Sequence, residues 1–150
     1  MDMPQVSDVI RTFFKEFEQA NNAFAPDRLA SLVSDPLVGA DPNGVVQAIA
    51  KEDYLSGIVQ SQQYLQMLGF QYIKAVPIEE IQLSEHYVLV KTQGTMHIEK
   101  TPGQPIDLVH NAAYILFVKD GKAQIVFSLT HEDPMKMLQE QYGISLENLT

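Results

Sequence analysis

The sequence predicts an α+β protein in which a curved, mainly antiparallel sheet wraps around N-terminal helices to form an open cone. Three observations carry that prediction. Apolar residues near the N-terminus recur at helical spacing. From about Phe70 onward the chain reads as four long β segments separated by turn residues. Between these halves lies Leu32-Val33-Ser34-Asp35-Pro36-Leu37-Val38-Gly39-Ala40-Asp41-Pro42-Asn43-Gly44, preceded by a long and a short helix and followed by a third helix.

Val6, Val9, Ile10, Phe13, Phe14, Phe17 and Ala20 recur at three- and four-residue steps, giving a helix of about five turns with one broad aromatic face. Pro4 suits a first helical turn and Ser7 suits a cap, so two starts are open. Pro26 and Asp27 begin a short helix carrying Leu29, Leu32 and Val33. Ser34-Asp35-Pro36 ends it, because a residue before proline is pushed out of the helical region. Asp41-Pro42-Asn43-Gly44 is a turn, flanked by extended pieces at Leu37 to Ala40 and Val45 to Ala50. The helical period returns from Lys51 to Leu68 through Leu55, Ile58, Val59 and Leu65, with Gly69 as the stop.

The β segments are Phe70 to Leu83, His86 to Lys100, Ile106 to Val118 and Ala123 to Thr130, the last pair joined by an Asp120-Gly121 hairpin turn. Pro134 to Tyr142 reads as a short helix ended by Gly143. In the second segment Val88, Val90, Met96 and Ile98 alternate with Lys91, Gln93, His97 and Glu99, so one face is buried and the other wet. In the third, both Leu108, Ala112, Tyr114, Leu116 and Val109, Ala113, Ile115, Phe117 are apolar. Helices cover only the inner face of a cone, so the outer face calls for a partner or the C-terminal segment; the expectation is a homodimer packed through the sheet.

The 150 residues suit one domain, a core from about 6 to 130 plus a helix at about 134 to 142, and 45% are apolar, which favours a packed interior. Acidic residues outnumber basic ones 19 to 10; this surface repels phosphate backbones and anionic membranes, so neither nucleic acid nor membrane is an expected partner. There is no cysteine, which excludes disulfides and thiolate chemistry. No stretch resembles a signal peptide or a membrane span, so the expected location is cytoplasmic. G-x-S-x-G, glycine-rich phosphate loops and His-Glu-x-x-His are missing. No cofactor and no metal is expected: His97 and Glu99 share a strand face, but with Lys91 and Gln93 beside them that face reads as solvated.

The element order, with the Leu32 to Gly44 segment, resembles the nuclear transport factor 2-like superfamily, including its SnoaL-like domains, over roughly Val6 to Thr130. The resemblance implies a cystatin-like cone, and a range of activities wide enough that fold alone assigns none. Ketosteroid isomerases of that superfamily carry an Asp-Pro-x-Gly segment at this point, which Asp41-Pro42-Asn43-Gly44 matches. The resemblance makes Asp41 the carboxylate that moves a proton beside a carbonyl; the residues alone favour a plain turn aspartate. Those enzymes also place a tyrosine on the first helix to stabilise an oxyanion, and here that helix has phenylalanines instead.

Four further residues are candidates. His110 and Tyr114 share one face of the third β segment, and if that face lines the cone they project into an apolar pocket as proton donors or acceptors. Gln62 falls on the apolar stripe of the third helix, where a polar group needs a partner, water or a ligand. Tyr54 is a core or rim residue able to touch a ligand. The candidate catalytic pair is Asp41 and His110, with Tyr54, Gln62 and Tyr114 as ligand contacts. Three functions follow: a binding protein for a small organic molecule, a cofactor-independent isomerase or lyase, and an interaction module working through the sheet face.

Overall fold

The computed structural model describes residues 6–132 and 134–143, so Pro4 lies outside the described residues. Helix α1 spans Asp8–Asn22 and α2 Pro26–Leu29; strands β1 (Val33–Ala40) and β2 (Val46–Ile49) form a hairpin. Helix α3 (Lys51–Met67) follows, then β3 (Phe70–Gln82), β4 (Tyr87–Thr101), β5 (Gln104–Lys119), β6 (Lys122–Thr130) and α4 (Pro134–Tyr142). The six strands make one unclosed sheet in the order β2-β1-β6-β5-β4-β3. Every pairing is antiparallel except β1 with β6.

Ser7 is the residue before α1, but its side chain does not cap the helix; its backbone N–H and Oγ both donate to Glu80 Oε1 of β3, at 3.1 and 2.8 Å. The aromatic face predicted from spacing is the one buried: Ile10, Phe13, Phe14, Phe17 and Ala20 all point inward. Phe13 stacks on Phe17, and Phe14 meets both edge-on. The polar flank of α1 satisfies the free edge of β3. Asn22 donates through Nδ2 to Ile73 O (3.0 Å) and accepts from Ile73 N (2.7 Å), and Glu18 accepts from Ala75 N. An otherwise open strand edge is thus paired by side chains.

Two sequence expectations are corrected. Leu32 and Val33 are not helical; α2 stops at Leu29, and Val33 begins β1 by pairing with Ile125. A β-branched residue gains more from a ladder than from one further turn of a four-residue helix. The chain then runs extended through Pro36, and the β1–β6 register breaks between Val33 and Val38, where proline offers no N–H. Second, Val59 is 49% exposed rather than part of the apolar stripe of α3, which narrows to Tyr54, Leu55, Ile58 and Leu65.

The alternation along β4 and β5 settles which face is inner. Val88, Val90, Leu116 and Ile125 belong to the same buried cluster as the α1 phenylalanines, so the even positions of β4 and β5 face the helices. A second buried cluster joins Leu68, Ile98, Leu108 and Leu138, with Leu65 and Met137 against it. Helix α4 therefore packs on the inner side, at the far end of β4 and β5. Gly69 anchors that end: its φ is +77°, a Cβ there would sit 2.3 Å from Glu99 O, and its own carbonyl accepts from Glu99 N. On the outer face of β5, Val109 is exposed, Ile115 and Phe117 are half-buried and Ala113 is buried.

Candidate functional site

The two buried clusters are separated by a belt across the inner face of the sheet. Reading rows by register, Val90 lies opposite Tyr114, Thr92 opposite Ala112, Gly94 opposite His110 and Met96 opposite Leu108. On β6, Ser128 pairs with Tyr114 and Thr130 with Ala112. Large apolar residues thus fill both ends of the inner face, whereas small and polar ones, Thr92, Gly94, Ala112, Ser128 and Thr130, occupy the middle. Helix α3 crosses above this belt: Tyr54, Leu55 and Ile58 lean on the first cluster and Leu65 on the second, with Ser61 and Gln62 between. No residue of α3 is fully buried, in contrast to α1.

Three of the five candidate residues, Tyr54, His110 and Tyr114, belong to this region. The Nε2 edge of the His110 ring lies over Gly94: a Cβ built there would be 2.6 Å from Nε2 and 2.8 Å from Cε1. Its Nδ1 is buried without a hydrogen-bond partner among the described residues. Tyr114 packs its ring against Phe14 at 5.5 Å and Phe17 at 6.0 Å. Burial pushes the Tyr114 phenol up to about 12. The Tyr54 phenol, on α3, is also pushed up to about 12, mainly by burial and then by Tyr114 nearby. Both stay protonated at neutral pH and able to donate. Neither hydroxyl has a hydrogen bond to any described residue, and the half-buried Gln62 and Ser128 side chains likewise make none.

Asp41 stands in the turn between β1 and β2. Its Oδ1 accepts from Asn43 N (2.8 Å) and Val45 N (3.0 Å), the hydrogen bonds of a turn aspartate. It also borders a recess of about 220 Å³, with Gly39, Gln47, Ile49, Ser128 and Thr130. The structure thus brings His110, Tyr114 and Tyr54 to the inner surface, leaves Gln62 half-buried on α3, and puts Asp41 in a separate recess with Ser128 and Thr130. Gly94 and Thr92 were not picked out from the sequence, although they interrupt the row Val88, Val90, Met96, Ile98. That break was the available signal for a polar belt.

The other histidines lie outside. His97 bonds through Nδ1 to Asp107 Oδ1 at 2.5 Å and stacks on Tyr72, on the outer face. His86 meets Val118 O through Nδ1 at 3.1 Å, and His131 is exposed. Among the described residues no three His, Cys, Asp or Glu side chains group as metal ligands, and no helix is long and apolar enough to cross a membrane.

No protein-family model and no curated protein matches the sequence. Solved structures do match the fold. An NTF-2 like protein of unknown function from Shewanella oneidensis is 16% identical, with a TM-score of 0.65 over 83% of this chain and 98% of its own. A putative SnoaL-like polyketide cyclase from Shewanella denitrificans is 10% identical, TM-score 0.59, over 92% and 100%. A hypothetical protein of ketosteroid isomerase-like fold from Catenulispora acidiphila, in complex with trimethylamine, is 12% identical, TM-score 0.58, over 95% and 98%. The chain has the nuclear transport factor 2-like fold, an α+β cone of the cystatin-like class.

Proposed function

We propose that this protein binds a small organic molecule inside the cone, with Tyr54, Gln62, His110 and Tyr114 as polar contacts. One observation carries the reading: polar groups converge on an inner surface between two apolar clusters and have no protein partner there. A buried polar group left unpaired costs free energy, commonly about 1–3 kcal/mol, and a ligand in the belt repays it. The trimethylamine complex of the Catenulispora acidiphila neighbour supports a small-molecule occupant. The test is a thermal-shift screen of a small-molecule library against the protein and its Tyr114→Phe and His110→Ala variants. Compounds that raise the melting temperature only when both residues are intact support the site; a library without such compounds counts against it.

Cofactor-independent proton transfer, an isomerase or lyase activity, is the second reading. It is favoured by Asp41 bordering the recess that holds Ser128 and Thr130. In that reading Asp41 or His110 takes the proton, and Tyr114, packed against α1 from β5, supplies the phenol that the first helix lacks. Asp41→Asn separates the two: an enzyme using this base loses turnover, whereas a binding protein keeps its affinity.

We also propose that two copies associate through the outer face of the sheet. Ala113, Ile115 and Phe117 line that face of β5, and α4 packs on the other side. Ile115→Glu is expected to convert a dimer to a monomer in light scattering. A wild-type monomer at micromolar concentration removes the proposal and makes a different protein partner the better reading of that face.

A further inference from the structure

The two edges of the sheet are finished differently. On β3 the free edge is closed by side chains: Asn22 pairs both backbone groups of Ile73, Glu18 accepts from Ala75 N, and Glu80 accepts from Ser7. The opposite edge, β2, has no such cover among the described residues. Asp41 N donates to Val45 O, and the register continues with Ala40 opposite Val46, Gly39 opposite Gln47 and Val38 opposite Ala48. Bonded and non-bonded pairs alternate in such a ladder, so the N–H and C=O of Val46 and Ala48 point away from β1. No described residue hydrogen-bonds to them. Val46 is 64% exposed, more than any other large apolar residue described, and Gln47 and Ala48 are exposed beside it. Charge, proline and bulges are the usual devices that keep an edge from pairing, and β2 has none of them.

We propose that β2 is a docking edge for an extended segment of a partner protein, running antiparallel to it, with apolar and basic residues in alternation. This is independent of the small-molecule reading. Backbone pairing supplies the affinity and alternate side chains the specificity. Segment residues opposite Val46 and Ala48 turn their backbone groups to β2 and set their side chains beside Val46, where apolar ones fit. The residues between them lie with Val45, Gln47 and Ile49, on the face of Leu37 and the buried inner cluster. That face opens on the recess of about 220 Å³ bordered by Asp41. Asp41 Oδ1 is taken by the turn amides, whereas Oδ2 has no partner among the described residues. An arginine beside Val45 spans the two strand spacings, roughly 10 Å, to Asp41. The surrounding charge agrees: Asp35, Asp41, Glu52 and Asp53 flank the strand in sequence, and the ammonium of Lys51 is occupied by Ala30 O at 2.7 Å. A second copy fits less well, because pairing centred on Gln47 would set two such acidic edges together and bring Asp41 no cation.

The test measures dye-labelled Thr-Val-Arg-Val-Arg-Val-Thr by fluorescence anisotropy against the wild type, Asp41→Asn and Ala48→Pro, the last removing an outward N–H and no bond to β1. Ala48→Pro is expected to weaken binding about tenfold, and Asp41→Asn about twofold to fivefold. Replacing the arginines with glutamates should cost about tenfold or more. Two further peptides test the pairing on the unaltered protein. N-methylation of the central valine, whose N–H faces β2, should abolish binding, whereas N-methylation of the next arginine, whose N–H faces solvent, should be tolerated. Equal binding of the two methylated peptides overturns the proposal, as does a wild type that ignores the arginine peptide at millimolar concentration. Concentration-dependent self-association that disappears in Ala48→Pro also overturns it, and makes a second copy the occupant of the edge.

Discussion

Replacing Gly94 with alanine tests the arrangement of His110 most sharply. The added methyl would lie 2.6 Å from Nε2 and 2.8 Å from Cε1, where ordinary contact begins near 3.5 Å. The ring must therefore retreat by about 1 Å, and overpacking of this kind costs about 1–3 kcal/mol. Against that, exchanging glycine for alanine within a strand gains about 0.5–1 kcal/mol by reducing the freedom of the unfolded chain. The net expectation is a loss of up to about 2.5 kcal/mol, a fall in melting temperature of at most roughly 10 °C for a chain of this size. In a His110→Ala background the clash disappears and the same substitution becomes neutral or stabilising. Urea unfolding of the four proteins in this cycle gives the coupling, expected at about 1–3 kcal/mol. Gly94→Ala as stable as wild type, with no coupling to His110, would refute the seating of the ring on Gly94.

Further expectations follow from the same structure. Leu138 is 1% exposed against Leu68, Ile98 and Leu108, so Leu138→Ala should cost about 2–5 kcal/mol by denaturant unfolding; a loss below 1 kcal/mol would mean that α4 does not seal that end. Asn22→Ala should cost about 1–3 kcal/mol, because it strips both partners from Ile73 on the edge of β3. The two raised phenols make stability fall with alkaline pH: an unfolded tyrosine ionises near 10, whereas these hold their protons to about 12. Their stabilisation is present in full below pH 10 and is lost progressively between 10 and 12. Phenolate absorbance should accordingly lag in the folded protein, and the lag should shrink in Tyr54→Phe and in Tyr114→Phe. Asp41→Asn keeps an oxygen for the turn amides and should shift the melting temperature little, whereas Asp41→Ala should lose about 1–2 kcal/mol.

Much of the fold was legible because local rules and tertiary needs agreed. The phenylalanine spacing of α1, Gly69 after α3 and Asp120-Gly121 between β5 and β6 each specify one outcome, and the latter two residues do adopt positive φ. The orientation of β5 was not legible, since an apolar residue suits either face. Only the pairing of Tyr114 with Val90, and its packing on Phe14, assigns it to the interior. Val33 was misread because its partner, Ile125, lies more than 90 positions away. The hold of Glu18 and Asn22 on β3 was hidden for the same reason, as nothing nearby in sequence marks them. At the site, the residue types of His110 and Tyr114 were visible, but not their lack of partners. The glycine shelf under His110 depends on the β4–β5 register.

Native mass spectrometry of freshly purified protein, wild type beside Tyr114→Phe/His110→Ala, tests the central claim most directly. The account predicts a reproducible adduct of a few hundred daltons on the wild type, or one acquired on incubation with compounds that raise its melting temperature in the library screen, and its loss in the double variant. A wild type that stays bare after incubation, or an adduct equally retained by the variant, would contradict a ligand site in the cone.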